Sequence, residues 1–340
     1  METWGQAGRC IVFALWVTLM SLSRKLSAAL VCSALLISTA LGQELRTGRT
    51  DAKQIRVVLL GTAGGPPVRV DRAGISTLVE AGGERFLFDA GRGFMQRLAQ
   101  AGVPMDGVTK LFITHLHSDH IVDVPDLYLT PWSAPSERKV PLEVWGPDGT
   151  REMMRNLEKA FAFDIHVRRD LDEKVSPEGI KFKATDVREG TVYEQNGVKI
   201  TAFLVDHGPV KPSFGYRLDY GGRSVVLSGD TRPSENLIKF SQRVDLLIHE
   251  AIDADALRRL TPSERLFNAI VEHHTTAPQA AEVFNRTKPR LAVFSHSPGT
   301  QSILEKTRAA YSGRVEMGED LMAIEIGDDI RITRLTKTNR

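Results

Sequence analysis

ITHLHSDH, residues 113–120, places three histidines and one aspartate within six positions at the end of an apolar run. The apolar run is typical of a β-strand that is buried on both faces. The two-residue period of a strand directs His115 and His117 to one side as the chain enters a loop. A helix that starts after them would turn Asp119 and His120 inward. Because imidazole and carboxylate groups bind divalent metals, the stretch predicts a site with donors for two ions.

Short β-branched runs alternate with helical segments on both sides of this stretch. The first half contains, in order, a strand at 55–62, a hairpin at 75–91 turned at Gly82-Gly83, a helix near 93–101 and a strand at 108–115. The second half contains a strand at 198–207, a hairpin at 214–230 turned at Gly221-Gly222, a strand at 244–250, a helix near 277–285 and a strand at 291–296. Gly-Gly between two alternating runs is a hairpin signal. Two similar halves predict an α/β fold in which two sheets pack face to face with helices outside.

Further ligand-type residues stand at the ends of predicted strands. His207, His249 and His296 each end such a strand, and Asp230 follows the second hairpin. Groups at strand ends converge on one edge of many α/β folds, where loops carry binding and catalytic residues. These residues are therefore candidate partners of the first donors, whereas the isolated His166 is expected to have no such role.

Residues 1–42 have the pattern of a secretory signal peptide. A basic pair, Arg24-Lys25, precedes an apolar run at 28–41, and small residues then lead to Gln43. This arrangement predicts cleavage after Gly42 and a periplasmic or secreted protein. An uncleaved membrane anchor is the alternative, but the apolar run is shorter than the roughly 20 residues that span a bilayer.

The mature chain, residues 43–340, is predicted to form a single domain, and the signal peptide could equally begin at Met20. Both cysteines, Cys10 and Cys32, lie in the leader, so a metal in the mature chain must be held by histidine and carboxylate. The mature chain contains equal numbers of basic and acidic residues and no cationic run. Since proteins that follow a nucleic-acid backbone usually show a basic excess, neither nucleic acid nor, after cleavage, a membrane is expected as a partner.

Two motifs resemble those of the metallo-β-lactamase superfamily. The H-x-H-x-D-H of residues 115–120 is similar to its signature, and Phe88-Asp89-Ala90-Gly91 is similar to the D-x-G element that precedes the signature. The resemblance covers about residues 54–330. It implies a four-layer αββα sandwich of two mixed β-sheets flanked by helices, and it implies two divalent ions, with zinc first and manganese or iron as alternatives.

The resemblance also implies which residues hold the ions. It assigns one ion to His115, His117 and His207, and the other to Asp119, His120 and His296. Asp230 is assigned the position between them. Because classical zinc β-lactamases with a cysteine ligand cannot be matched by a mature chain without cysteine, lactam hydrolysis is not the first expectation.

Two further segments propose a proton donor for ester hydrolysis. His249-Glu250-Ala251 and 272–277 resemble the HEA and H-S-T elements of the ribonuclease Z and arylsulfatase branch. The resemblance implies that His274 donates a proton to the leaving group and that Glu250 orients it. Asp119, His274 and Glu250 are thus the candidate catalytic residues, and the two metal ions would activate the attacking water.

The substrate is first expected to be a small anionic ester. Ribonuclease Z enzymes carry a tRNA-gripping arm between the third histidine and the bridging aspartate, but His207 and Asp230 are only 23 residues apart here. The run at 121–132 is similar to that of exported arylsulfatases, and its Tyr128 and Trp132 could form either a pocket wall or part of the core. Together with the leader, these features predict arylsulfatase-like hydrolysis of a sulfate ester or a phosphodiester.

Several alternatives remain open from the sequence. The first is a ribonuclease Z-like endoribonuclease that processes tRNA 3′ ends, or a cyclic-nucleotide phosphodiesterase. A lactonase or β-lactamase comes next, and a metal-free scaffold of the same fold is the non-enzyme alternative. Lys211 and Arg232 could contact an anionic ester, and an edge strand or a helix at Ile121 could form a homodimer.

Overall fold

The computed structural model describes residues 54–335 as two β-sheets with helices on their outer faces. The strands of the first half are β1 (Ile55–Gly61), β2 (Ser76–Ala81), β3 (Glu84–Phe88), β4 (Lys110–Phe112), β5 (Leu142–Gly146) and β6 (Phe182–Asp186). Those of the second half are β7 (Gly190–Gln195), β8 (Val198–Leu204), β9 (Phe214–Tyr220), β10 (Arg223–Leu227), β11 (Leu246–His249), β12 (Leu291–Phe294), β13 (Val315–Met317), β14 (Met322–Ile326) and β15 (Ile330–Arg334).

The helices follow the strands that they cover. They are α1 (Phe94–Gln100), α2 (Ser118–Ile121), α3 (Val124–Leu129), α4 (Thr150–Ala160), α5 (Ala162–His166), α6 (Glu235–Phe240), α7 (Ala254–Leu260), α8 (Glu264–His273), α9 (Ala277–Thr287) and α10 (Gln301–Arg308). Short 3₁₀ and π turns lie at Met105–Gly107 and Val167–Leu171. The helices predicted near 93–101 and 277–285 are confirmed as α1 and α9.

Both sheets are mixed. The eight-stranded sheet has the order β15-β14-β1-β2-β3-β4-β5-β6, with parallel pairing from β3 to β6 and antiparallel pairing elsewhere. The seven-stranded sheet has the order β13-β12-β11-β10-β9-β8-β7, with parallel pairing from β10 to β13. Both predicted Gly-Gly turns connect antiparallel neighbours, β2 to β3 and β9 to β10.

The side chains of β1 point alternately to its two faces and show how the layers are held together. Val57 and Leu59 enter the core between the sheets, whereas Val58 and Leu60 enter a second core under the helices of the first half. A third core lies between the other sheet and α6, α9 and α10. Apolar burial on both faces of each sheet is what a four-layer sandwich requires. The predicted αββα architecture is confirmed.

The strand that leads to the first donors is shorter than predicted. The sequence favours a strand to residue 115, but β4 ends at Phe112. The Thr114 N–H donates to Asp89 Oδ1 at 2.8 Å, so a side chain takes the place of a neighbouring strand. The chain therefore leaves the sheet before His115, and α2 begins at Ser118, where the turn inward was expected.

The signal-peptide prediction for residues 1–42 lies outside the described residues, and the extent of the domain stays a prediction. Within residues 54–335, no helix has both the length and the apolar character that crossing a bilayer requires.

Candidate active site

The structure brings all seven predicted metal ligands to one edge of the sandwich. Four come from the loop after β4 and from α2, and the others come from the loops after β8, β10 and β12. Their ligand atoms form groups in which all atoms lie within 4.8 Å of one another. These groups are His115-His117-His207, Asp119-His120-His296 and His115-His120-Asp230.

Asp230 lies between two pairs of histidines. Its Oδ2 is 4.0 Å from His115 Nε2 and 3.9 Å from His207 Nε2. Its Oδ1 is 3.4 Å from His120 Nε2 and 3.2 Å from His296 Nδ1. Each carboxylate oxygen therefore faces a different pair, as a carboxylate shared by two cations would.

Unpaired buried atoms show that the site suits cations. His115 Nε2, His120 Nε2, His296 Nδ1 and Asp230 Oδ1 are buried and have no hydrogen-bond partner among the described residues. A buried polar atom without a partner costs about 1–3 kcal/mol, and coordination of a cation would remove this cost. These nitrogen and oxygen atoms are typical ligands of divalent metals, so the residues fit the ions that the fold implies.

The protonation of the histidines depends on their surroundings. Burial lowers the pKa of His115, His117 and His207, which favours the neutral form that binds metal. Burial opposes charge on His120 as well, but the carboxylates of Asp230 and Asp89 outweigh it and raise the pKa of His120 well above its usual value. A cation bound at His120 must therefore displace a proton.

Neighbouring groups orient the ligands. His120 Nδ1 lies 2.8 Å from Asp89 Oδ2, and His207 Nδ1 lies 3.0 Å from the His273 carbonyl oxygen. An Nδ1–H that donates to an oxygen leaves Nε2 free for a metal. The sequence marked Asp89 only as part of a motif and gave Thr114 no role, although Thr114 Oγ1 also contacts Asp89 at 2.9 Å.

The candidate acid pair stands beside this cluster. His274 Nδ1 is 2.9 Å from Glu250 Oε1, and the same oxygen accepts the Thr231 N–H at 2.8 Å. Burial lowers the pKa of His274, but the Glu250 carboxylate outweighs burial and raises this pKa to about 9. His274 Nδ1 is also 4.0 Å from Asp230 Oδ2. The pair thus presents a protonated imidazole to the candidate metal site at neutral pH.

Some candidate residues take other places. His249 is fully buried at the end of β11, where its Nδ1 donates to the Glu250 carbonyl oxygen at 2.6 Å. The exposed His166 pairs with Asp170 far from the site. Tyr128 and Trp132 are fully buried core residues and therefore cannot wall an open pocket.

Arginines line a cleft that opens beside Asp119. Arg69, Arg72 and Arg92 line this cleft together with Ser118 and Asp119. Arg72 is held by the carbonyl oxygens of Thr62 and Ser297, and Arg69 pairs with Asp71. Guanidinium groups are suited to contact anionic groups in such a cleft.

Comparison with known proteins decides the family. Residues 84–297 match the family model described as the β-lactamase superfamily domain. The chain belongs to the metallo-β-lactamase superfamily. Within this superfamily of metal-dependent hydrolases, ribonuclease Z of Mycobacterium sp. (strain KMS) is 37% identical over 279 residues, which cover 80% of this chain and 96% of that protein. Ribonuclease Z of Mycobacterium avium (strain 104) is 39% identical over 284 residues, with coverage of 80% and 98%.

Solved structures of the superfamily agree with the fold. Human tRNase Z, short form, has a TM-score of 0.58 and 26% identity over 79% of this chain and 98% of that chain. The metallo-β-lactamase fold protein YhfI from Bacillus subtilis has a TM-score of 0.63 over 80% and 100%, and at 20% identity it supports the fold alone.

The prediction that the partner is a small ester and not nucleic acid is wrong. The two relatives given above align with four fifths of this chain and are ribonucleases Z, which are named for their action on RNA. The physical reason for the error is that net charge averages over the whole surface. Arg72 and Arg92 are separated in the sequence but line one cleft, and neither has an acidic partner within 4.0 Å among the described residues, so a neutral chain presents local positive charge without a cationic run.

Proposed function

We propose that this protein is an endoribonuclease of the ribonuclease Z type, which hydrolyses phosphodiester bonds in RNA. The observation that carries the proposal is the convergence of seven metal-ligand candidates with the His274–Glu250 pair in a chain 37% identical to ribonuclease Z. These relatives favour the ribonuclease alternative of the sequence analysis over the arylsulfatase-like one. The 3′ end of a tRNA precursor is therefore the first substrate to test.

The proposed ligand sets follow the geometry of the site. One cation would be held by His115, His117 and His207, and a second by Asp119, His120 and His296. Asp230 would lie between the two cations. Such a pair supplies an activated water and stabilises the charge that develops on phosphate oxygens. We name zinc as the first ion to test.

His274 is the proposed proton donor to the leaving oxygen. The Glu250 carboxylate keeps the imidazole charged and fixes its orientation through Nδ1, so the Nε2–H is the proton that can be delivered. Thr231 holds Glu250 in turn by donating its N–H to Oε1. A charged acid of this kind matters most when the leaving alkoxide is a poor one, as the ribose oxygen of RNA is.

The cleft beside Asp119 supports a phosphodiester substrate. Arg92 is exposed, and it has no acidic partner within 4.0 Å in the part of the chain that the structure describes. A free guanidinium next to a candidate metal ligand suits a phosphate that flanks the scissile bond.

Cleavage of a tRNA precursor with a 3′ trailer tests the proposal. Purified zinc-loaded protein should release the trailer at a single position, and chelation should abolish the reaction. Bis-p-nitrophenyl phosphate serves as a small diester with a good leaving group. His274→Ala should slow RNA cleavage at least tenfold more than hydrolysis of this small diester, since p-nitrophenolate hardly needs a proton. An intact precursor alongside rapid hydrolysis of the small diester would argue against an RNA substrate.

Export is a separate proposal, and under it the protein would meet RNA outside the cytoplasm, so the tRNA precursor serves as an assay substrate for the chemistry. The pattern of residues 1–42 supports secretion, and N-terminal sequencing of protein recovered from the producing cell would test it. A mature chain that begins at Gln43 is the expected result, and a chain that retains the leader in the membrane would contradict it.

A further inference from the structure

The segment between the two members of the acid pair forms a helical hairpin, α7 with α8, residues 254–273. It begins four residues after Glu250 and ends at the residue before His274. At its base, the Ile252 N–H donates to the Thr275 carbonyl oxygen at 2.9 Å. The hairpin therefore rises from the rim of the candidate active site.

The hairpin carries apolar side chains that are only partly covered. Within residues 54–335, α9 buries six of its residues, whereas neither α7 nor α8 buries any. Yet α8 carries one apolar stripe at helical spacing, which consists of Leu266, Phe267, Ile270 and Val271. Leu260 is 81% exposed and Leu266 is 47% exposed. Apolar side chains grouped in this way are a common mark of a binding surface.

Arginines accompany these apolar side chains. Arg258 stacks on the ring of Phe267, with its guanidinium carbon 3.7 Å from the ring centroid, and also pairs with Glu264. Arg259 and Arg265 are exposed, and neither has a carboxylate within 4.0 Å among the residues described. Arg259 and Arg265 directly precede the exposed Leu260 and Leu266 in the sequence, and free guanidinium groups beside exposed apolar side chains match RNA, which offers phosphates and unstacked bases together.

The hairpin is also connected to the catalytic groups. The carbonyl oxygen of its last residue, His273, accepts from His207 Nδ1 at 3.0 Å. The Lys306 ammonium holds its first turn through Asp255 at 2.6 Å. A ligand that contacts the exposed part of the hairpin would thus be held at a fixed position relative to His207 and His274.

We infer that the helical hairpin is a docking surface for the part of the RNA substrate outside the scissile phosphate. Arg259 and Arg265 would contact its phosphates, and the exposed side chains of Leu260 and Leu266 would contact its bases. The inference rests on the proposed function and adds a recognition element to it. It assigns to this hairpin the substrate contact that the short segment between His207 and Asp230 is too small to provide.

Charge reversal tests the inference. In the zinc-loaded protein, Arg259→Glu with Arg265→Glu should weaken binding of the tRNA precursor roughly tenfold or more and reduce the slope of log affinity against log salt by about 1 to 2. Hydrolysis of bis-p-nitrophenyl phosphate should stay within twofold of wild type. The matched control is Arg155→Glu with Lys159→Glu on α4, where both side chains are likewise exposed, and it should leave RNA binding unchanged.

The outcomes separate the two proposals. If wild type cleaves the precursor and the hairpin variant binds it equally well, the docking inference is overturned while the ribonuclease proposal stands. If wild type hydrolyses only the small diester, both are overturned. A second variant, Leu260→Ser with Leu266→Ser, should weaken RNA binding as well. If this variant binds RNA as wild type does but loses a dimer or loses binding to anionic phospholipid vesicles, the surface serves another partner and the inference is overturned.

Discussion

Glu250→Gln is the substitution that most directly examines the acid pair. Glutamine keeps the shape of the side chain and an oxygen that can accept the Thr231 N–H, which donates to Glu250 Oε1 at 2.8 Å. It removes the negative charge 2.9 Å from His274 Nδ1. The fold of the loop should therefore survive while the electrostatic support of His274 is lost.

The magnitude follows from the pKa of His274. The carboxylates of Glu250 and, to a smaller extent, Asp230 raise this pKa to about 9 against the opposing effect of burial, and the ordinary value is 6.5. At 1.36 kcal/mol per unit, the difference corresponds to about 3 kcal/mol in favour of the charged imidazole. At pH 8 a group with a pKa of about 9 is roughly nine-tenths protonated, and one at 6.5 is protonated to about 3%. We expect Glu250→Gln to lower RNA cleavage at pH 8 by up to about 30-fold, since Asp230 also supports the charged imidazole.

The pH profile of kcat tests the predicted direction in which activity changes as His274 loses its proton. The protonated form of His274 is the active acid, so activity is full below its pKa and falls as the pH rises through it. In the wild type the fall should centre near pH 9, and in Glu250→Gln it should move down by two units or more. Asp245→Asn, which neutralises a buried carboxylate at the opposite end of β11, is the matched control and should not move the profile. An unshifted profile in Glu250→Gln would refute the role of the pair.

Three further predictions concern the metals. Asp89→Asn should weaken metal binding about 10- to 100-fold, measured by competition with a chromophoric chelator, because the carboxylate orients His120. Chelation should lower the Tm, and restored metal should recover it. Ions present at 1,000 times their Kd that bind only the folded state add about 4 kcal/mol to the free energy of unfolding. An unchanged Tm would contradict the view that the unpaired buried nitrogen and oxygen atoms bind metal. Metal affinity should fall as the pH falls, since protons compete at His120, whose pKa is raised; calorimetry in buffers of different ionisation enthalpy should detect proton release on binding.

The strands and turns that follow a regular sequence pattern could be predicted from the sequence. Both Gly-Gly turns and the strands beside them lie where the alternating runs place them, because two-residue periodicity and turn chemistry act locally. The strand ends were less accessible, since β4 and β8 end before His115 and His207. At β4 the side chain of Asp89, distant in sequence, replaces the ladder, and no local pattern reports such a contact.

The helical hairpin was not predicted from the sequence, although local signals for it were present. Neither α7 nor α8 buries a residue among those described, yet the apolar residues of α8 recur at helical spacing. Their caps were visible, because Asp253 and Ser263 accept from the N–H groups of Ala256 and Leu266. Such cap residues before each segment could have revealed both helices.

The candidate ligands are also spread along the chain in a way that bears on biogenesis. Asp119 and His296 are 177 positions apart and meet only when the second sheet has formed against the first. The Arg72 guanidinium then joins Thr62 to Ser297 across an even longer separation. A nascent chain that has emerged only as far as residue 200 holds four of the seven donors and can close neither ligand set. Capture of the second ion, whose proposed set includes His296, would therefore require nearly complete synthesis and folding, whereas the first set could close as soon as His207 joins it.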